Sequence, residues 1–267
     1  MLRSLFSGIS GLRAHQQMLD VTSNNIANVN TTGYKSSAAV FQTTLSETLN
    51  GAGAPTATQG GTNPEQVGLG VQLGGIEANM TQGSSQVTGR STDLLINGDG
   101  FFVVNNNGQT NYTRAGSFSL DANGHLVEPD GSIAQDAAGG ALNLSGLATG
   151  GYVSWSIAAN GNVNAVDATG ATTTLGTIAL ATFVNPAGLT RVGDSQFQAS
   201  SNSGPAQTGA PMSGSRGSLS AGYLEMSNVD LSAELTNMII AERGFEANSR
   251  VITTSDEVLQ TLVNMKN

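Results

Sequence analysis

Of the 35 glycines in this 267-residue chain, 30 lie between residues 51 and 220, and all six prolines fall between Pro55 and Pro211. Glycine and proline supply turns and interrupt helices, so the long middle must be assembled from short strands and loops. Only the two Gly-poor ends can carry extended helix. Both show the pattern that a helix needs. Near the start, apolar residues recur at Leu2, Leu5, Ile9, Leu12, Leu19 and Ile26, in phase across polar Gln16 and Ser23. Near the other end the same spacing runs through Leu231, Leu235, Met238, Phe245, Ile252, Leu259 and Val263, with Glu242, Ser249 and Asp256 as interruptions. Asn228 or Asp230 can cap this second helix, and Glu234 then lies near its positive end.

Two such stripes at opposite ends of one chain invite pairing. Their charges agree: residues 1–35 carry Arg3, Arg13 and Lys35 against Asp20, net +2, whereas residues 221–267 carry seven acids against three bases, net −4. Gly8 and Gly11 lie inside the first helix, where each costs about 1 kcal/mol relative to alanine. Such a helix is marginal alone, but a side made of Ser4, Ser7, Gly8 and Gly11 lets another backbone approach closely. The ends are therefore expected to order only against neighbours.

The middle reads as antiparallel β. Strands are expected at Leu94 to Ile96, Phe101 to Val104, Tyr112 to Arg114, Ser117 to Leu120 and Leu126 to Glu128, separated by Asn97-Gly98, Asn107-Gly108, Asn123-Gly124 and Asp130-Gly131 turns. Further strands are expected at Tyr152 to Ile157, Val163 to Val166, Thr172 to Leu175, Thr177 to Val184 and Gln196 to Ala199. The fold class is α+β and multidomain. A discontinuous coiled-coil domain is expected from residues 1–34 and 226–267, an extended connector over 35–70 and 212–225, and a central all-β antiparallel domain over 71–211.

Composition restricts function. Net charge is −9 and charged residues make up 11% of the chain, against about 25% in an ordinary domain. Nucleic acid requires clustered Lys and Arg, and two lysines with eight scattered arginines form no basic patch. Cysteine is absent, which removes disulfides, thiolate metal sites and thiol nucleophiles. No apolar run approaches the roughly 20 residues that span a bilayer, and the first residues are too interrupted for a cleaved Sec signal. Membrane insertion is not expected. The histidines, His15 and His125, stand apart from any metal-ligand or triad spacing. The carboxylate pairs Asp93/Asp99 and Glu128/Asp130 are expected on solvated strands. No enzyme activity, metal or cofactor is expected.

The segment Asn24-Asn25-Ile26-Ala27-Asn28-Val29-Asn30-Thr31-Thr32-Gly33-Tyr34-Lys35 resembles the N-terminal signature of bacterial flagellar axial proteins, the rod and hook family. Asn24, Asn25, Ala27, Asn28 and Gly33 carry that signature. Further matches follow in order: Val67 to Val71, Thr88 to Arg90, Gly98 to Phe102, Tyr112 to Phe118, then Gly222 to Asp230 and the helix through Lys266. Together they cover most of residues 1–130 and 217–267, and 132–212 match nothing closely. The resemblance implies terminal helices lining a hollow helical tube, with Leu2, Leu5, Ile9, Leu12, Leu19, Ile26, Leu231, Leu235, Met238, Phe245, Ile252 and Leu259 as the polymerisation core. It implies export through the flagellar export apparatus. Implied partners are copies of the chain itself and other axial proteins (distal rod, hook cap, hook–filament junction), in the extracellular hook and basal body. Val29 to Gly33, Thr88 to Arg90 and Gly61 to Pro64 resemble hook proteins, while the short length and single β domain resemble the distal rod. A short hook protein is the preferred reading, the distal rod its alternative, and an extracellular β-rich adhesin a remote third.

Overall fold

The computed structural model describes residues 2–56, 58–148 and 151–265, without the side chains of Leu2 and Ala148. Lys266, taken as the end of the second helix, lies outside the described residues, as does the side chain of Leu2. The helices are α1 (Leu2–Ala27), a single turn α2 (Ser145–Ala148) and α3 (Leu231–Asn264). The chain divides into two compact units.

The first unit contains Met1–Ala27, Ser37–Ala78 and Asp230–Asn267. Here α1 and α3 pair antiparallel: Gly8 stands against Asn248 and Ile252, Gly11 against Asn248, His15 against Gly244, and Asn25 against Glu234. Asp230 caps α3, its carboxylate accepting from the Ser232 and Ala233 amides at 2.9 and 3.2 Å. Asn228, the other candidate cap, belongs to the second unit and serves other bonds.

Where the sequence suggested an extended connector over 35–70, the chain forms strands β1 (Ser37–Thr43), β2 (Ser46–Asn50) and β3 (Glu65–Gly68), and β4 (Val71–Ala78), expected in the central β domain, belongs to this first unit with them. β1 pairs with β4, Phe41 facing Leu73, and β2 pairs with β3. Alternate residues Ser37, Ala39 and Phe41 are the less exposed face of β1. That alternation is short and diluted by Thr, Ser and Gly, so composition masked it. Gly70 explains part of the Val67 to Val71 motif: its φ is +125°, and a Cβ there would overlap the Ser10 hydroxyl. That hydroxyl accepts from the Val71 amide at 3.2 Å.

The second unit contains Asn28–Ser36 and Asn79–Val229. Its strands begin with β5 (Ser85–Val87), β6 (Leu94–Asn97), β7 (Phe101–Asn106), β8 (Gln109–Thr113), β9 (Ser119–Leu120), β10 (Leu126–Val127) and β11 (Ile133–Ala134). They continue with β12 (Tyr152–Ile157), β13 (Asn162–Asp167), β14 (Thr172–Thr177), β15 (Leu180–Thr182) and β16 (Thr190–Gly193). The last are β17 (Gln196–Gln198), β18 (Gln207–Gly209), β19 (Ser218–Ala221) and β20 (Tyr223–Glu225). The main sheet runs β16-β17-β8-β7-β11-β10-β9, with β15 joining β7 to β18. β12-β13-β14 form a separate three-stranded sheet, and β6·β19 and β5·β20 are antiparallel pairs.

The Phe101 to Val104 run is continuous rather than alternating because β7 is covered on both faces. Phe102 and Val104 join Leu94, Phe118, Leu126 and Leu180 in one apolar cluster. Phe101 and Val103 join Tyr112, Phe183 and Phe197 in another. Each filled core position of this kind contributes about 1.5–3 kcal/mol. Asn107 and Gly108 both have positive φ, +50° and +88°, which is the geometry an Asn-Gly hairpin turn demands.

Candidate functional site

The α1·α3 seam is made of small and polar residues. Gly8, Gly11, Ala14, Thr22 and Asn25 are the buried residues of α1, and Ala241 is the buried residue of α3. A Cβ at Gly11 would stand 2.7 Å from the Asn248 amide oxygen, and one at Gly244 would overlap the His15 ring. Each glycine leaves the space that a side chain of the facing helix fills, Asn248 over Gly11 and His15 over Gly244. The apolar stripes consequently do not fill the seam. Leu5, Leu12, Leu19, Ile26, Met238, Ile252 and Leu259 are half-buried, whereas Ile9, Leu231, Leu235 and Phe245 are exposed. Phe6, Ile239 and Ile240, outside both stripes, are more exposed still, at 66%, 59% and 54%. Among the described residues, large aliphatic and aromatic side chains spread along two long helices form an exposed apolar surface.

The Asn-rich signature closes the other end of this unit. Asn25 is 1% exposed, and its side-chain amide bonds to two neighbouring elements. Its Nδ2 donates to the Ser37 carbonyl at 2.7 Å and to Glu234 Oε1 at 2.9 Å, and its Oδ1 accepts from the Ser37 amide at 3.0 Å. One side chain thus ties α1 to the first residue of β1 and the first turn of α3. Asp cannot replace it, since the two donations need an N–H. Asn24 and Ala27 lie on the exposed side of α1.

Within the second unit, four of the matched motifs converge on Glu225. Lys35 Nζ donates to Glu225 Oε1 at 2.5 Å and to the Thr81 carbonyl at 2.8 Å. Arg114 Nη1 lies 3.2 Å from Glu225 Oε2 and its Nη2 donates to the Gly98 carbonyl at 2.9 Å. The Gly83 amide donates to Oε1 at 2.9 Å, and the Gly33 amide donates to the Glu225 carbonyl at 2.8 Å. Both members of the Lys35–Glu225 pair have fully buried side chains. Burial pushes the Lys35 ammonium down from its ordinary pKa, and Glu225 opposes that shift. Gly33 has φ +67° and sits where a Cβ would overlap the Ala115 backbone. Asn28 borders this segment, its carbonyl accepting from the Thr31 amide at 3.1 Å, and Asn228 donates to the Asn79 carbonyl at 2.9 Å. The sequence carried these residues as motif letters. That Lys35, Arg114 and Glu225 are partners was not readable, because 190 residues separate the first and last.

The remaining acid–base candidates lie within the second unit. Glu128 is 4% exposed rather than solvated, which corrects the expectation for the Glu128/Asp130 pair. Gln196 Nε2 donates to Glu128 Oε2 at 3.0 Å and to Asp130 Oδ2 at 2.7 Å. Desolvation raises the Glu128 pKa to about 7. Asp93 is also buried, 3.8 Å from Arg90. Among the described residues no group of three His, Asp or Glu side chains gathers as a metal site. None of the helices described is long and apolar enough to cross a membrane.

Comparison with known proteins finds matches in both units of the chain. Three family profiles match successive parts: "Flagella basal body rod protein" over residues 5–35, "Flagellar hook protein FlgE/F/G D1 domain" over 95–165, and "Flagellar basal body rod FlgEFG protein C-terminal" over 220–265. The flagellar basal-body rod protein FlgG of Bacillus subtilis is 48% identical over 267 residues, covering 100% of both chains. The FlgG of Borreliella burgdorferi is 38% identical, covering 100% of this chain and 99% of its own. The flagellar hook protein FlgE of Borreliella burgdorferi is 28% identical over an alignment of 442 residues, covering 100% of both. These matches define a flagellar axial structural protein. The chain belongs to the FlgE/F/G family of flagellar rod and hook proteins.

Proposed function

We propose that this chain is the distal rod subunit of a bacterial flagellum, and that it polymerises helically into a stiff hollow shaft. In this reading copies of the chain are its main partner. Hook-side axial proteins continue the tube, and the flagellar export apparatus delivers the unassembled chain. The observation that carries the reading is length. The relatives named as rod proteins align end to end, over 267 and 272 residues, whereas the hook relative needs 442 aligned positions for the same chain.

The hook reading preferred from sequence gives way to its alternative on this ground. A rod protein 48% identical aligns with the whole of this chain, Val29 to Gly33, Gly61 to Pro64 and Thr88 to Arg90 included, so these stretches carry little weight for hook over rod. Residues 132–212, which resembled nothing closely, supply β11 to β18 of the same β unit.

The exposed apolar residues of α1 and α3, Phe6, Ile9, Leu235, Ile239, Ile240 and Phe245, support self-assembly as the contact between copies, with the half-buried Leu5, Leu12, Leu19, Met238, Ile252 and Leu259 as further contributors from the flanks of the helix pair. Electron microscopy of hook–basal bodies from cells carrying a tagged copy tests the assignment. Label confined to the straight segment below the hook is expected. Label distributed along the curved hook would restore the hook reading.

A further inference from the structure

The chain contains five Asn-Gly dipeptides: Asn50-Gly51, Asn97-Gly98, Asn107-Gly108, Asn123-Gly124 and Asn160-Gly161. This dipeptide is chemically labile, because the unhindered glycine nitrogen can attack the preceding side-chain amide. Attack requires the glycine N–H to lose its proton, so a hydrogen bond from that N–H protects the site. Four of the five are protected. The Gly98 amide donates to Gln82 Oε1 at 3.1 Å and the Gly108 amide to Asn105 Oδ1 at 2.8 Å. The Gly124 amide donates to the Asp121 carbonyl at 3.1 Å and the Gly161 amide to the Ala158 carbonyl at 2.9 Å. The Gly51 amide donates no hydrogen bond among the described residues. Gly51 is exposed, and a Cβ built on it would meet nothing within 4 Å.

We propose that Asn50 is a site of spontaneous deamidation in the native protein. Hydroxide takes the Gly51 N–H proton, and the nitrogen bonds to Asn50 Cγ. The Cγ–Nδ2 bond then breaks, the nitrogen taking a proton from water as it leaves as ammonia, so that hydroxide is regenerated and a cyclic succinimide remains. Water opens the ring at either carbonyl, giving aspartate or isoaspartate. The product changes the β2·β3 hairpin. Asn50 Nδ2 donates to Glu65 Oε2 at 2.7 Å, and Asn50 faces Glu65 across the pair. Deamidation removes that donor and sets a second carboxylate against the first, as like charges directly opposed across a strand pair. The hairpin's closing end loosens, while the α1·α3 seam is untouched.

Peptide mapping of the purified full-length chain, incubated at mildly alkaline pH both natively and in denaturant, measures conversion at each site. In denaturant the five sites should convert at comparable rates. In the native protein Asn50 should keep nearly its denatured rate, while the other four slow by roughly tenfold, as loss of one protecting hydrogen bond would predict in reverse. Gly51→Ala should slow conversion at Asn50 alone, and Asn50→Asp should reproduce faster hydrogen exchange confined to β2 and β3. Native protection of Asn50 equal to that of the other four, or faster conversion at any of them, would overturn the proposal.

Discussion

Gly11 of α1 and Asn248 of α3 are in such close contact that a Cβ on the glycine would stand 2.7 Å from the asparagine side chain. That approach explains why a helix former was sacrificed at Gly11. An interior glycine weakens the isolated helix by about 1 kcal/mol, and the packing that it permits must return more. Gly11→Ala should therefore lower the stability of the helix pair by about 1–3 kcal/mol despite alanine's better helix propensity. Thermal unfolding followed by circular dichroism at the helical band measures this. A rise in melting temperature would mean that propensity, and not packing, governs the position.

Glu225 accepts from Lys35 and Arg114 with no exposure to water. Removing one member of a buried ion cluster strands the rest, at a cost of about 3–5 kcal/mol. Glu225→Ala leaves two buried cations and should unfold the β unit at a markedly lower denaturant concentration. Lys35→Met leaves the Arg114–Glu225 pair intact and should cost less. Denaturant titration of the two variants checks the order, and equal midpoints would contradict it.

Glu128 supplies a pH dependence of definite sign. Its native pKa is raised from 4.5 to about 7, chiefly by desolvation, with Asp130 and Asp194 adding to the shift and Gln196 and Thr113 opposing it. The native state therefore keeps a proton that the unfolded chain has already released. Stability from this site is fullest below pH 4.5 and falls as pH rises to about 7, by an amount on the order of 3 kcal/mol. Glu128→Gln should raise the melting temperature above pH 7 and flatten its dependence across that window. An unchanged slope in the variant would place the titration elsewhere.

Asn25 anchors α1 to Ser37 and Glu234 through three hydrogen bonds. Asn25→Asp removes both donations and brings a carboxylate against Glu234, so a loss of about 1–3 kcal/mol is expected. Gln16→Glu, on the exposed side of the same helix, should cost under half as much. Hydrogen exchange at β1 and the first turn of α3 distinguishes them, and similar protection in both variants would remove the special role of Asn25.

Much of this architecture was legible in the sequence, for identifiable reasons. Apolar residues at helical spacing marked α1 and α3. Asn-Gly and Asp-Gly turns bracketed β6 to β10, and an unbroken apolar run marked β7, which is covered on both faces. β1 to β4 were missed because their alternation lasts only a few residues and is mixed with Thr, Ser and Gly. The orientation of the stripes was missed for a different reason. Spacing shows which residues share a helix face but not what that face meets, and it favoured Leu235 and Phe245 as the seam. The small residues Gly8, Gly11, Ala241 and Gly244 hold that place, and their sizes were the available signal. The Glu225 cluster joins residues too distant in sequence for any local pattern to link.

The central claim is that the small-residue seam pairs the helices within one chain and the exposed apolar residues join one chain to the next. Substituting an acid at Ile9 or Phe245, exposed at 38% and 39%, separates the two roles. Electron microscopy and sedimentation of purified Ile9→Asp and Phe245→Asp chains, with hydrogen exchange confirming a folded β unit and a paired α1·α3, should find no tubes where the unsubstituted chain forms them. Tubes of ordinary length from either variant, or normally motile cells carrying it, would contradict the account.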